Sequence, residues 1–203
     1  MNCIDRIVQE NYGYFDEDRK RNTTILIILI FMMILVQSGW VIGFWILEIP
    51  EMFWLDVVVL IGYICTIIGM IFFKLSFIWS RNLALGLGYM IAGTPVIFFG
   101  LDSTVTLHLA FLPMATILLF SRKEVRRFAW YFLSIICGYI LIVCWCFKYG
   151  ALLNTPPETL RIFDMIVTMD GIFISLYFTY FFFVENTKYK ALLYNEREKS
   201  DHL

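Results

Sequence analysis

The chain has 203 residues, 60% of them hydrophobic and only 16% charged, with 16 Lys and Arg set against 17 Asp and Glu. A soluble core of this size cannot hide so much apolar surface, so the composition excludes an ordinary globular enzyme and requires that much of the chain face lipid. Five cysteines scattered through the chain give no disulfide framework.

Residues 1–22 form a polar N-terminal segment that closes on Arg19, Lys20 and Arg21. Six apolar runs follow: Thr23 to Leu47, Phe53 to Leu75, Leu83 to Gly100, Thr104 to Phe120, Phe128 to Tyr149, and Ile162 to Val184. Each approaches or exceeds the ~20 residues that a helix needs to cross the hydrocarbon layer. The first run is too long for a signal-peptide core and has no small-residue cleavage site before Pro50. The expected fold is all-α, an integral membrane bundle of six transmembrane helices over residues 23–184. A C-terminal helix over 185–203 extends the sixth span into the cytoplasm.

The cations set the expected orientation. Arg19 to Arg21, Lys74, Arg81, the Arg122–Arg127 loop and the tail lysines fall on one side, whereas the other side holds only Lys148 and Arg161. The excess of Lys and Arg marks the cytoplasmic face, which places both termini inside a multi-pass protein of the cell's inner membrane. The Arg122–Arg127 loop is too short for a nucleic-acid surface and suits anionic lipid of the inner leaflet.

Within the first run Gly39 and Gly43 stand at the GxxxG spacing that lets helix backbones approach closely. Ala84, Gly88 and Ala92 make a second small stripe in the third run. Packing inside one bundle and a homodimer interface both account for such stripes. Pro95 and Pro113 each remove a backbone hydrogen bond within a span and predict kinks there. The cysteines Cys65, Cys137, Cys144 and Cys146 read as small lipid-facing or core residues, with Cys144 and Cys146 on different faces of one helix. Trp40, Trp45, Phe53, Trp54, Trp79, Trp130, Tyr131, Trp145 and Tyr149 read as an interfacial aromatic belt.

Ionisable residues at membrane depth are the candidate sites, because a charge there costs at least ~2.5 kcal/mol unless it is paired or hydrated. Asp170 leads, since counting at ~1.5 Å per residue from Ile162 puts it roughly 12 Å into the bilayer. Asp56, Asp102, His108 and Asp164 fall on the same, outer side. Carboxylates with one imidazole suit a divalent cation, or another small or lipophilic ligand. The competing reading has each acid separately hydrated or paired with Arg161 and Lys148. No phosphate loop, nucleophile elbow or zinc motif is present, so the chain carries no recognisable catalytic residues of its own.

After Val184 the tail is rich in helix formers without Pro or Gly, and the helix has no stop signal at Leu203. That suggests a longer polypeptide. Glu185, Tyr189, Leu192, Glu196, Lys199 and Leu203 lie along this coupling helix, and part of the set fits a heptad seam. The six spans, the basic segment His108 to Arg127, and above all the final stretch Asn195-Glu196-Arg197-Glu198-Lys199-Ser200-Asp201-His202-Leu203 resemble the membrane anchor of bacterial class III adenylate cyclases. The resemblance implies a dimeric anchor and a cytoplasmic catalytic domain after Leu203, which would make cyclic AMP from ATP with Mg or Mn. Input domains of histidine kinases and diguanylate cyclases look much the same. A small transporter or channel that uses Asp170 as an ion or proton relay is the alternative from another class.

Overall fold

The structure is a computed structural model that describes residues 17–100, 116, 119–120, 124–153 and 156–201, with side chains left undescribed at 17–20, 178, 181–182 and 185–201. Five helices are described: α1 (Glu17–Ile46), α2 (Pro50–Phe72), α3 (Phe77–Phe99), α4 (Val125–Tyr149) and α5 (Pro157–Asp201). Four of these, α1 to α4, are long and apolar enough to cross a membrane. The fourth apolar run of the sequence lies almost wholly outside the described residues, as do Asp102, His108 and Pro113.

Two short turns fold the first three helices into antiparallel neighbours. At residues 47–49, Leu47 N–H donates to Gly43 O and Ile49 N–H to Phe44 O, with Glu48 at φ 55°. At residues 73–76, Phe73 and Leu75 N–H both donate to Gly69 O, with Lys74 at φ 52°. A left-handed residue just after a helix satisfies the carbonyls that the last turn leaves open. The 47–49 turn marks the upper end of the bundle, and the 73–76 turn the lower.

The helices begin earlier than the apolar runs suggest. The hydroxyl of Ser76 accepts from Trp79 N–H and caps α3, so Arg81 sits one turn inside the helix instead of before it. Pro95 is buried inside α3, which continues through it to Phe99. α5 is uninterrupted for 45 residues and carries the sixth apolar run directly into the charged tail.

α3 and α4 run parallel. Arg81 meets Glu124 near the lower end, the hydroxyl of Tyr89 meets that of Ser134 further up, and the Cys146 thiol donates to Val96 O near the top. Residues 151–153 are strapped onto the upper end of α3 by Leu152 N–H to Ile97 O and Leu153 N–H to Phe98 O.

Two apolar clusters fill the interior. The lower joins Leu26, Ile30, Val59, Tyr63, Met70 and Leu85 with Phe120 and their neighbours. The upper joins Trp40, Phe44, Met52, Val96, Phe99 and Phe163. Phe163 of α5 is its hub, with ring centroids 4.4 Å from Phe99, 5.2 Å from Trp40 and 5.6 Å from Phe44. The closest backbone approaches occur at Gly62, where a Cβ would stand 2.9 Å from the Leu87 side chain, and at Gly93, where it would stand 3.0 Å from Ile142. A Cβ at Gly39 or Gly43 meets nothing within 4 Å, so that pair does not bring two described helices of this chain together. Ala92 of the second small stripe is buried in the upper cluster, and Ala84 packs against the lower one.

The outer surface is largely apolar. Leu35, Phe72, Phe73 and Phe147 are each more than 70% exposed. Leaving such a side chain in water forgoes about 1.5–3 kcal/mol apiece, and a continuous jacket of them is the signature of a lipid-facing bundle. Trp45, Trp54 and Trp79 lie exposed near helix ends, where an interfacial ring is stable.

Candidate functional site

Among the described residues, two groups of buried polar side chains stand out against this apolar background. The upper group gathers on α1. Gln37 and Trp40 are one turn apart and share a face, so they present their polar atoms at neighbouring levels toward different helices. Trp40 Nε1–H donates to Asp170 Oδ2 of α5 at 3.0 Å. Trp40 is only 8% exposed, so it is a core residue and hydrogen-bond donor, not a member of the interfacial belt.

The register of α5 explains why Asp170 points inward. Phe163, Val167 and Ile174 are its buried apolar residues, and Asp170 follows Phe163 by two turns and precedes Ile174 by one. A carboxylate on that stripe needs a donor, and the indole supplies one. Asp164 is half-buried one and a half turns earlier, and its backbone carbonyl accepts from the Thr168 hydroxyl.

Gln37 faces α2. Its side chain approaches the carboxyl of Asp56, which lies six residues below Pro50 and is 3% exposed. Gln37 is fully buried, and both of its amide atoms stand outside hydrogen-bond geometry with any described partner. Asp56 has no ion pair among the described residues. The sequence singled out Asp56 but missed Gln37, whose signal is a lone amide within the apolar run from Thr23 to Leu47.

The structure therefore brings Asp56 and Asp170 to one helix at adjacent turns, Asp170 by a hydrogen bond from Trp40 and Asp56 by proximity to Gln37. Among the described residues no three of His, Cys, Asp and Glu come together as a metal-holding group. Asp102 and His108 lie outside the described residues.

The lower group is built on Arg81, which the sequence presented as a loop cation. Its side chain is 1% exposed. Nη1 donates to Glu124 Oε2 at 2.8 Å and to Leu119 O at 3.5 Å, and the guanidinium lies 3.8 Å from the Phe120 ring centroid and 5.3 Å from that of Phe77. Glu124, 20% exposed, also accepts from Arg127 at 3.0 Å. A planar guanidinium can stack on a ring and bond a carboxylate together, which a lysine cannot. This arrangement ties the start of α4 to the lower end of α3. Nε of Arg81 and Oδ1 of the adjacent Asn82 have no partner among the described residues.

A shallow groove at the upper end is lined by Phe44, Trp45, Glu48, Ile49, Pro50 and Phe53. The coupling positions Glu185, Tyr189, Leu192, Glu196 and Lys199 all lie within α5, and Leu203 lies outside the described residues. Compared with protein-family models, curated proteins and solved structures, the chain matches none of them.

Proposed function

We propose that this chain is the membrane anchor and input domain of a longer signalling protein, a dimer in the inner membrane that governs a cytoplasmic catalytic domain following Leu203. The observation that carries the reading is α5. At ~1.5 Å per residue its 45 residues span about 68 Å, more than twice the ~30 Å hydrocarbon layer. Its upper part is clamped into the bundle by Phe163, Val167 and the Trp40–Asp170 bond, whereas Leu176, Tyr180 and Phe183 lower down are exposed. A rod held at one end and continuous through the other carries a tilt or rotation of the bundle out of the membrane.

Six crossings suit this reading. Gly100 closes α3 at the upper end, and Glu124 opens α4 beside Arg81 at the lower end. With both termini then on the lower side, the cation distribution makes that side cytoplasmic. The resemblance of the last nine residues to class III adenylate cyclase anchors names the output as cyclic AMP synthesis from ATP. A ligand that bound two arrangements of the bundle unequally would regulate it.

Reading the native gene beyond Leu203 tests the proposal. A catalytic domain with two metal-binding aspartates, making cyclic AMP when expressed in full, supports it; a stop codon there rules it out. The inward-facing Asp170 favours one second reading, an ion or proton relay. That reading requires flux in liposomes which Asp170→Asn abolishes.

A further inference from the structure

We infer that Gln37 and Asp56 form an intramembrane site for a single positive charge, taken either as a proton or as Na⁺. The site lies between α1 and α2 and is separate from the Trp40–Asp170 contact. It is independent of any domain attached beyond α5.

Three observations carry this inference. Asp56 is 3% exposed, about 9 Å below the start of α2, within the apolar span. A bare carboxylate there is among the costliest groups a bilayer protein can hold, so it exists with a compensating charge or as the neutral acid. No protein cation supplies that charge among the described residues. α1 presents Gln37 and, one turn on, Trp40 with the Asp170 carboxyl of α5, which supplies no cation. From α3, Tyr89 directs its hydroxyl to Ser134 of α4, and the buried cation Arg81 is committed to Glu124 roughly 18 Å lower along the bundle. On α2 itself Glu51 is exposed in the first turn.

The third observation is Gln37. It is completely buried, and neither its amide oxygen nor its amide nitrogen reaches full hydrogen-bond geometry with a described residue, a costly state for both atoms, although the amide lies within interaction range of the Asp56 carboxyl. The polar side chain beside it is that of Asp56.

The chemistry of the pair fits a monovalent cation. A protonated carboxyl donates its O–H to the Gln37 amide oxygen and accepts from the amide N–H through its carbonyl oxygen. That exchange satisfies both orphaned amide atoms at once, with no net charge left in the membrane. Na⁺ is served by the same oxygens, two from the carboxylate and one from the amide, and also leaves the pair neutral. A divalent cation would leave a net positive charge on one carboxylate and is disfavoured.

The experiment uses the full chain purified into phosphatidylcholine–phosphatidylglycerol vesicles, with two readouts at neutral pH. Infrared difference spectroscopy reports a protonated carboxyl, and radioactive Na⁺ reports saturable binding. A carboxylic-acid carbonyl band that disappears in Asp56→Asn but persists in Asp170→Asn establishes the proton. Saturable Na⁺ binding weakened at least tenfold in Asp56→Asn establishes Na⁺, and an acid band that Na⁺ abolishes shows one site exchanging the two. Gln37→Leu should shift the band or weaken Na⁺ binding about tenfold; an unchanged result removes Gln37 from the site and overturns the inference. The wild-type chain decides even if a variant fails to fold, since the absence of both an acid band and saturable Na⁺ binding overturns the inference outright.

Discussion

The Arg81–Glu124 pair supports a prediction whose size follows from unequal burial. Changing Glu124 to Gln leaves a guanidinium that is 1% exposed without its counter-charge, because the amide oxygen still accepts from Nη1 and the Phe77 and Phe120 rings and Leu119 O remain, but none of them is anionic. Stranding one charge of a buried pair costs about 3–5 kcal/mol. Changing Arg81 to Met instead strands Glu124, which is 20% exposed and keeps Arg127 at 3.0 Å. That loss is limited to one charge-assisted hydrogen bond, about 1.5–3 kcal/mol, with most of the packing retained by Met. Glu124→Gln is therefore the worse of the two although it is the milder change. The double variant should be no less stable than Glu124→Gln alone, because no buried charge remains unpaired. The assay is reversible unfolding in mixed micelles, followed by far-UV circular dichroism, for wild type, both single variants and the double. Additive costs, or an Arg81→Met penalty larger than that of Glu124→Gln, would refute the reasoning.

Other contacts give smaller tests by the same unfolding assay. Trp40→Phe keeps the ring in the upper cluster but deletes the donor to Asp170, and should cost about 1.5–3 kcal/mol, whereas Asp170→Asn, which still accepts from the indole, should cost less. Phe163→Ala removes the hub of four rings and should cost about 3–5 kcal/mol; a loss under 1 kcal/mol would show that α5 is not clamped there. Gly62→Leu should disrupt the α2–α3 contact, since even a Cβ stands 2.9 Å from Leu87, while Gly39→Leu should leave the monomer's stability within about 0.5 kcal/mol. Cross-linking of the Gly39→Leu variant then tests the proposed dimer separately, because a substitution that spares the fold but abolishes cross-linking would place an interface on that face.

The helices were legible in the sequence because each apolar run is long and its polar boundaries are sharp. Their ends were less so. α3 starts at Phe77 rather than Leu83 because Arg81, which reads as a flanking cation, is drawn inside by Glu124 and by two rings, one of them distant in sequence. Small-residue spacing identified Gly39 and Gly43, but the close approaches are at Gly62 and Gly93, which no local pattern separates from other glycines. Spacing reports that a backbone can be approached, not that a neighbour is there.

At the candidate site, charge at membrane depth pointed to Asp56 and Asp170 at once. Their partners were hidden for opposite reasons. Trp40 sits near a helix end, where tryptophan is usually interfacial, yet the α5 stripe of Phe163 and Val167 buries it. Gln37 is neutral, so charge at membrane depth does not single it out, although an amide is costly to bury unpaired.

The most direct test of the central claim is the sidedness of the lower turn and of the far end of α5. Single cysteines at Lys74 and Lys190, in a background with the five native cysteines replaced, are labelled in sealed right-side-out and inverted vesicles with a membrane-impermeant maleimide. Both are expected to react only in inverted vesicles, whereas a cysteine at Glu48 reacts only in right-side-out ones. Labelling of Lys74 and Lys190 from opposite faces would rule out the anchor role, because α5 would then leave the bundle on the wrong side to act on a cytoplasmic domain.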